Sequence, residues 1–235
     1  MNCNELIEFI NPLNTSRFKP EGDLGALVQD SRQVVENSVF IAVKGSEVDG
    51  HLFIEDAIHR GASVVICEES YYTDLDVCVI EVENTRSLIG PLAQKFAGNP
   101  AEKLKIVGIT GTNGKTTTAT LVYQVLCSLG QNVSLLGTVE KRILEERIDS
   151  KLTTSDPIEL ANDMQLMLDA RSEFLVMEVS SHALHQQRVA GFDFTVAAFT
   201  NLSHDHLDYH ETIEEYALAK KILFDELPSN SVAVI

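Results

Sequence analysis

The sequence predicts an α/β fold in which a small N-terminal α/β domain precedes a larger, mostly parallel α/β sheet. Two observations lead to this prediction. Short runs rich in β-branched residues alternate with stretches of helical periodicity, and that alternation is typical of parallel strands joined by helices. A turn cluster at Gly98-Asn99-Pro100 interrupts the alternation, so we predict one domain at residues 1–100 and a second at 101–235.

The first domain contains three predicted strands and two predicted helices. β-branched and apolar residues favour strands at 39–43, 63–67 and 77–82. Apolar residues at helical spacing predict helices at 51–60 and 85–96, and Gly61 is placed to end the first of them.

The second domain repeats a strand–helix pattern from residue 105 onwards. Because parallel strands need crossover connections, helices between the strands predict one mostly parallel sheet. The last predicted strand ends at Ile235 with nothing after it, so we expect this domain to be incomplete. Predicted strands cover 105–109, 133–136, 174–179, 194–199 and 232–235, and predicted helices cover 115–129, 158–170 and 213–227.

Composition excludes several classes of protein. The 235 residues carry 18 basic and 35 acidic side chains, a formal charge of −17, and an acidic surface repels the phosphates of nucleic acids. No apolar run approaches the roughly 20 residues of a membrane helix, and residues 1–10 lack the basic start of a signal peptide. We therefore expect a cytoplasmic protein that binds neither nucleic acid nor membrane. The four cysteines form no CxxC pair and are expected to be buried.

A glycine-rich segment joins the strand at 105–109 to the helix at 115–129. Such a turn directs backbone amides and a helix N-terminus at phosphate oxygens, Lys115 can neutralise the phosphates, and the Thr116 hydroxyl can bind Mg²⁺. The second domain is therefore predicted to be of the P-loop type, although Ile109 stands where the standard loop has its first glycine. A chance glycine-rich turn is the alternative. The residues expected to contact a nucleotide are Gly111, Thr112, Asn113, Gly114, Lys115, Thr116 and Thr117.

Two acidic or histidine-bearing segments follow the ends of later strands. Glu178 lies near the end of the apolar strand at 174–179, and a buried carboxylate needs a partner or a cation. Three histidines and two aspartates lie within residues 204–210, directly after the strand at 194–199. Mg²⁺ and phosphate chemistry is the favoured interpretation of both. The alternatives are a salt bridge or a surface strand end for Glu178, and a zinc site or a solvated loop for residues 204–210.

Lys220 lies in the middle of the apolar stripe of the helix at 213–227, where a charged amine is costly. A lysine in this position must extend to water along the helix surface, find a partner, or change chemically. The functional hypothesis is an amine held close to the metal-binding loop.

Together these segments resemble the Mur ligases, ATP-dependent enzymes that extend the peptide of a UDP-linked cell-wall precursor. The resemblance covers nearly the whole chain. Residues 110–117 (TGTNGKTT) resemble the family's ATP loop with its unusual glycine spacing, and residues 177–182 (MEVSSH) and 200–210 (TNLSHDHLDYH) resemble its other central motifs. For the members that add a diamino acid, residues 30–32 and 45–50 resemble the UDP-binding segment, and residues 152–154 and 186–188 the peptide-binding segment.

The resemblance implies roles for individual residues. Lys115, His206 and Lys220 would be catalytic, and Lys220 corresponds to the lysine that the family carbamylates, which turns a cation into a metal-binding anion. Thr116, Glu178, His206 and carbamylated Lys220 would hold or orient Mg²⁺ beside ATP. The muramoyl peptide would be held by Thr153, Thr154, Ser180, Gln186 and Arg188, and the UDP part by Ser31 and Ser46.

The implied reaction joins meso-diaminopimelate or L-lysine to UDP-N-acetylmuramoyl-L-alanyl-D-glutamate through an acyl phosphate, with ATP and Mg²⁺ as cofactors. The first domain would bind the UDP precursor and the second ATP. The family's C-terminal domain, which binds the incoming amino acid, is absent from this sequence, so the chain alone is expected to be inactive. Three alternatives stay open: another superfamily ligase such as folylpolyglutamate synthase, a small P-loop kinase, or a non-catalytic module that binds the UDP precursor or ATP.

Overall fold

The computed structural model describes residues 1–45, 48–144, 146–150 and 152–235. The chain divides into two compact units, Met1–Phe96 and Ala97–Ile235. Within the described residues, every helix falls short of the length and hydropathy that a bilayer-spanning helix needs.

The first unit is built on a five-stranded sheet with the order β1-β5-β4-β3-β2. The strands β2 to β5 are parallel, and β1 pairs antiparallel with β5 at the edge. Every residue of β3 is buried, as expected for a parallel strand covered on both faces. The strands are β1 (Asn14–Thr15), β2 (Leu27–Val28), β3 (Ser38–Ile41), β4 (Ala62–Cys67) and β5 (Cys78–Glu81), and the helices are α1 (Cys3–Ile10), α2 (Ile54–His59) and α3 (Thr85–Phe96).

Local capping explains where α1 and the 3₁₀ turn before α2 begin. Asn2 and Glu5 form a reciprocal capping box at the start of α1. The helix predicted at 51–60 divides into a 3₁₀ turn, Gly50–Phe53, and α2, because the Asp49 side chain accepts the His51 amide and starts the chain in a tighter turn. The sequence pattern did not predict α1, β1 or β2; the two strands are two residues long and carry no measurable periodicity.

The second unit contains a seven-stranded sheet with the order β12-β11-β6-β10-β7-β8-β9. The strands from β12 to β7 in this order are parallel, and β8 and β9 form an antiparallel hairpin at one edge. The strands are β6 (Lys105–Thr110), β7 (Val133–Leu136), β8 (Glu140–Ile143), β9 (Glu146–Asp149), β10 (Phe174–Glu178), β11 (Phe194–Phe199) and β12 (Val232–Val234). The helices are α4 (Lys115–Ser128), α5 (Pro157–Asp169), α6 (Ser181–His185), α7 (Leu207–His210) and α8 (Ile213–Asp225).

The register of the central strands brings three strand ends together. Glu178 of β10 pairs with Ile109 of β6, and Phe199 of β11 pairs with Thr110 of β6. The carboxyl ends of these parallel strands therefore lie side by side at one edge of the sheet. Ligands of open α/β sheets bind at this edge.

The hairpin of β8 and β9 was not predicted from the sequence. Its residues are mostly charged, and one of them, Lys141, is buried in ion pairs with Glu159 and Asp163 of α5. Burying a charged ammonium group costs free energy, and these ion pairs offset that cost for Lys141. One further expectation was wrong: Cys127 is exposed on α4, whereas Cys3, Cys67 and Cys78 are buried.

Candidate functional site

The turn between β6 and α4 depends on glycine at two positions. Gly111 has a φ of +143°, and a Cβ atom there would lie 1.9 Å from the Thr200 hydroxyl oxygen. Gly114 has a φ of +85° and is the N-cap residue of α4. These torsions, which other residues rarely adopt, bring the chain round so that the N-terminus of α4 faces the strand ends.

Lys115 folds back over the loop that precedes it. Its ammonium group donates to the Gly111 carbonyl at 2.9 Å and to the Thr112 carbonyl at 2.8 Å. Burial lowers the pKa of Lys115, and the charges of Glu178 and Asp205 oppose that shift. The amine therefore lies where it could approach phosphates held at the start of α4.

Glu178 is 1% exposed and is surrounded by hydrogen-bond donors. Its carboxylate accepts from the Thr116 hydroxyl at 2.9 Å, from the Thr138 amide at 2.8 Å and from the Thr138 hydroxyl at 3.1 Å. Thr138 was not predicted; its one sequence signal is Gly137, where a Cβ atom would lie 2.7 Å from the Glu178 carboxylate. The strand-end acid and the first turn of α4 therefore meet directly.

Lys220 is 2% exposed, so the alternative in which its amine extends to water is wrong. The amine donates to the Gly111 carbonyl at 2.9 Å and lies 4.2 Å from the centroid of the Tyr216 ring, a distance at which a cation is attracted to the ring face. Burial first, and then the charge of Lys115, lowers the pKa of Lys220 to about 7. Lys115 and Lys220 thus converge on one carbonyl oxygen.

His206 lies at the rim of this cluster, in the left-handed conformation that precedes α7. Its ring centroid is 4.9 Å from that of His182 and 6.0 Å from that of Tyr216. The Tyr216 hydroxyl donates to the Thr112 hydroxyl at 3.2 Å. Glu178 and Lys220 therefore hydrogen-bond residues of the 110–117 segment directly, whereas His206 approaches that segment through Tyr216.

The residues present fit an Mg²⁺ site in which water and substrate phosphates complete the coordination shell. Within the described part of the chain, no three His, Cys, Asp or Glu side chains are grouped closely enough to hold a metal by themselves. Mg²⁺ commonly takes one or two carboxylates and completes its shell with water and substrate phosphates. The buried Glu178 carboxylate beside the Thr116 hydroxyl matches that requirement.

The residues expected to hold a peptide substrate form a chain of hydrogen bonds next to Glu178. The Thr138 and Thr153 hydroxyls are 3.1 Å apart, and the Thr154 hydroxyl donates to the Glu178 carbonyl at 2.9 Å and accepts from the Ser180 amide at 3.1 Å. Arg188 donates to the Thr154 carbonyl at 2.8 Å. The guanidinium also donates to the Gln186 side-chain oxygen at 2.7 Å.

Tyr209 extends this network toward the histidines and was not predicted. Its hydroxyl accepts from the Gln186 side chain at 3.0 Å and lies 2.9 Å from Nδ1 of His185. A second link joins the same elements, because the buried His210 ring lies 3.0 Å from the Ser181 hydroxyl. Residues 204–210, here called the histidine loop, are therefore connected to the segment at 180–188 through α7.

Ser31 lies in a separate cleft of the first unit, with a volume of about 480 Å³. Its hydroxyl hydrogen-bonds Asp56 and lowers the pKa of that carboxyl. Ser46 lies outside the described residues. The cleft is lined by Gln29, Asp30, Ser31, Arg32, Val43, Val48, Gly50, Phe53 and Asp56.

Sequence families match most of the chain. The Mur ligase middle domain matches residues 109–235, and the Mur ligase family catalytic domain matches residues 26–97. The chain belongs to the Mur ligase family. The family resemblance predicted from the motifs is therefore confirmed.

Two curated relatives, from Cytophaga hutchinsonii and Listeria monocytogenes, are both named UDP-N-acetylmuramoyl-L-alanyl-D-glutamate--2,6-diaminopimelate ligase. The first is 43% identical over 237 residues, which cover all of this chain and 49% of the relative. The second is 43% identical over 227 residues, which cover 97% of this chain and 46% of the relative. The chain therefore spans about half the length of the curated relatives it matches.

Solved structures of the family share the fold. A UDP-N-acetylmuramoyl-L-alanyl-D-glutamate--2,6-diaminopimelate ligase has a TM-score of 0.79 at 26% identity, covering 97% of this chain and 51% of that one. MurF ligase from Thermotoga maritima, solved in complex with ADP, has a TM-score of 0.59 at 26% identity, covering 88% of this chain and 44% of that one. These likenesses confirm the predicted α/β fold class.

Proposed function

We propose that this chain is part of an ATP-dependent ligase that adds a diamino acid to UDP-N-acetylmuramoyl-L-alanyl-D-glutamate in the cytoplasm. The observation that supports the proposal most is the contact between the Thr116 hydroxyl and the Glu178 carboxylate, which joins a phosphate-binding helix start to a buried acid. The names of the curated relatives favour 2,6-diaminopimelate as the diamino acid. In this proposal the first unit binds the UDP precursor and the second binds ATP.

The proposed chemistry overcomes the poor reactivity of a carboxylate toward an amine. Transfer of the γ-phosphoryl group from ATP to the substrate carboxylate gives an acyl phosphate and ADP. The amine then attacks the acyl carbon, loses a proton, and phosphate departs. Because ATP and the carboxylate repel each other, cations must lie between them. Lys115 would offset the phosphate charge, and Arg188, which is hydrogen-bonded to the Thr154 carbonyl, would orient the muramoyl peptide.

Mg²⁺ would supply electrostatic neutralisation of the phosphates in this site. Glu178 and Thr116 would hold it, directly or through water, and His206 and a carbamate on Lys220 would complete the set. The lowered pKa of Lys220 supports this role, because a neutral amine is the form that reacts with CO₂.

Calorimetry on this chain tests the nucleotide site. We expect Mg·ADP to bind, and we expect Lys115→Ala to weaken binding at least tenfold, since it removes a charge-assisted contact to phosphate. Lys105→Ala, at an exposed position at the start of β6, is the matched control and should bind as the unsubstituted chain does. Equal affinity in the Lys115→Ala variant would contradict the proposed site.

Ligand choice separates the proposed ligase from its alternatives. The chain should bind UDP-N-acetylmuramoyl-L-alanyl-D-glutamate and should not bind folates. In the complete enzyme, ATP turnover should depend on both the muramoyl precursor and the amino acid. ATP turnover without the muramoyl precursor would instead favour a kinase, and precursor binding without any nucleotide binding would favour a non-catalytic module.

A further inference from the structure

Asn201 follows β11 on the loop toward His206. It makes three hydrogen bonds to the glycine-rich turn at residues 111–114, here called the nucleotide loop. Its carbonyl accepts from the Thr112 amide at 2.9 Å. Its side-chain oxygen accepts from the Asn113 amide at 3.1 Å, and its side-chain nitrogen donates to the Asn113 carbonyl at 3.1 Å. The side chain therefore imitates a neighbouring β-strand and hydrogen-bonds both backbone polar groups of Asn113.

We propose that Asn201 is a positioning residue for the nucleotide phosphates. Its amide side chain would hold the 112–113 segment in the shape that leaves the first amides of α4 free to receive them. This inference rests on the proposed function, because it assumes that a nucleoside di- or triphosphate binds at the loop.

The contacts of Asn201 with residues 112 and 113, here called the clamp, are needed because glycines lie on either side of these two residues. Gly111 and Gly114 both have positive φ and restrict the backbone little by themselves, so the two residues between them can rotate unless something outside the loop holds them. The amides of Thr112 and Asn113 are already engaged by Asn201. The phosphate-binding amides are then those at the start of α4, which lack intrahelical acceptors.

Neighbouring contacts extend the clamp but do not replace the Asn201 side chain. The Thr200 hydroxyl donates to the Asn113 carbonyl at 2.6 Å, and the Thr112 hydroxyl both accepts from the Ser203 amide at 3.0 Å and contacts its carbonyl at 3.3 Å. None of these bonds supplies an acceptor for the Asn113 amide. The loop of residues 200–203 therefore ties the nucleotide loop to the histidine loop, and Asn201 is the residue that fixes the peptide at position 113.

Amide hydrogen exchange measured by NMR tests the clamp one residue at a time. In Asn201→Ala the Asn113 amide loses its acceptor, whereas the Thr112 amide keeps the backbone carbonyl of residue 201. We expect exchange at Asn113 to accelerate about tenfold or more while exchange at Thr112 stays within a factor of two. Mg·ADP affinity, measured by calorimetry, should fall about tenfold, which corresponds to the loss of one or two hydrogen bonds. The melting temperature should change little, because Asn201 is exposed.

Asn132→Ala is the matched control, since it makes the same change at an exposed asparagine in the turn before β7. This variant should keep the unsubstituted chain's nucleotide affinity and its exchange rates at Thr112 and Asn113. Unchanged exchange at Asn113 in Asn201→Ala, or faster exchange with unchanged Mg·ADP affinity, would overturn the inference alone. If the unsubstituted chain bound no Mg·ADP, both the proposed function and this inference would be overturned.

Discussion

Single residues in the nucleotide loop carry constraints that can be separated by matched substitutions. Gly111 and Gly130 both have positive φ, but a Cβ atom at Gly111 would meet the Thr200 hydroxyl at 1.9 Å, whereas nothing lies within 4 Å at Gly130. Both positions carry a torsional cost for a side chain, which is larger at the φ of +143° than at the φ of +78°, and Gly111 adds a steric cost. Close packing around the loop, in addition to flexibility, therefore explains the glycine at 111.

Gly111→Ala should destabilise the second unit by about 3 kcal/mol, because strain and a collision add. Gly130→Ala should cost about 1 kcal/mol, the torsional part alone. Urea denaturation measures both, and calorimetry should show that only Gly111→Ala loses Mg·ADP binding. Equal destabilisation by the two substitutions would mean that the Thr200 contact imposes no constraint.

Lys220 and its neighbour Lys221 offer a second matched pair. Lys220 is buried with its pKa lowered to about 7, and Lys221 is exposed and paired with Asp225. The neutral amine of Lys220 can attack CO₂ and release a proton, which leaves a carbamate. With ¹³C-labelled bicarbonate, we expect a carbamate resonance by ¹³C NMR in the unsubstituted chain and in Lys221→Ala, and none in Lys220→Ala. A resonance that survives in Lys220→Ala would assign the carbamate to another amine.

At the scale of elements, a buried histidine links the short helices α6 and α7. His210 lies 3.0 Å from the Ser181 hydroxyl, and burial, followed by the charges of His182, His185, Lys220 and His206, lowers its pKa from 6.5 to about 4. Between roughly pH 4 and 6.5 the unfolded chain therefore binds a proton that the folded chain does not. The link is stabilising above this window, and that stability is lost as the pH falls through it.

His210→Gln removes this titration while keeping a polar side chain. We expect the unsubstituted chain to lose more unfolding free energy between pH 7.5 and pH 5 than His210→Gln does, as measured by urea denaturation at the two pH values. His59→Gln, at an exposed position at the end of α2, should keep the full pH dependence. The same loss in all three proteins would show that His210 is not the titrating group.

The sequence predicted elements whose burial is periodic and missed those held by tertiary contacts. The helices α4, α5 and α8 and the strands β6, β7, β10 and β11 lie within two residues of their predicted bounds. The hairpin of β8 and β9 was missed because Lys141 is buried only through its ion pairs with α5. Such pairs leave no local periodicity in the sequence.

The sequence predicted the candidate site in part, as it did the elements of the fold. Residues inside recognisable motifs, such as Lys115 and Glu178, could be named, but their hydrogen-bond partners could not. Asn201 and Tyr209 lie within the quoted motif at 200–210, but the residues they contact on other loops could not be read from it. Thr138 enters the site because loops from different strands meet there, and the neighbouring Gly137 does not by itself indicate that contact. The burial of Lys220 was indicated by its position on the apolar face of α8. The hydrogen bond to the Gly111 carbonyl, which Lys220 shares with Lys115, was not indicated.

At the scale of the whole molecule, the negative net charge means that anions can be bound only through local contacts. A net charge of −17 repels nucleotides and UDP-linked substrates at a distance. Affinity for them must therefore come from amides, single cations and metal within each cleft. The first unit offers Arg32 beside Ser31, and the second offers Lys115 and the start of α4.

Because each compact unit holds its own candidate cleft, substitutions in one should leave the other ligand unaffected. Ser31→Ala should weaken UDP binding about fivefold through the loss of a hydrogen bond, and it should leave Mg·ADP affinity unchanged. Lys115→Ala should do the reverse, so each variant serves as the control for the other. In the double variant the affinity lost for each ligand should equal the loss in the corresponding single variant to within about 0.5 kcal/mol, as expected for residues without shared partners. Calorimetry with UDP and with Mg·ADP on the four proteins measures every term. A Ser31→Ala variant that weakens both ligands equally would indicate global damage and remove Ser31 from the proposed UDP site.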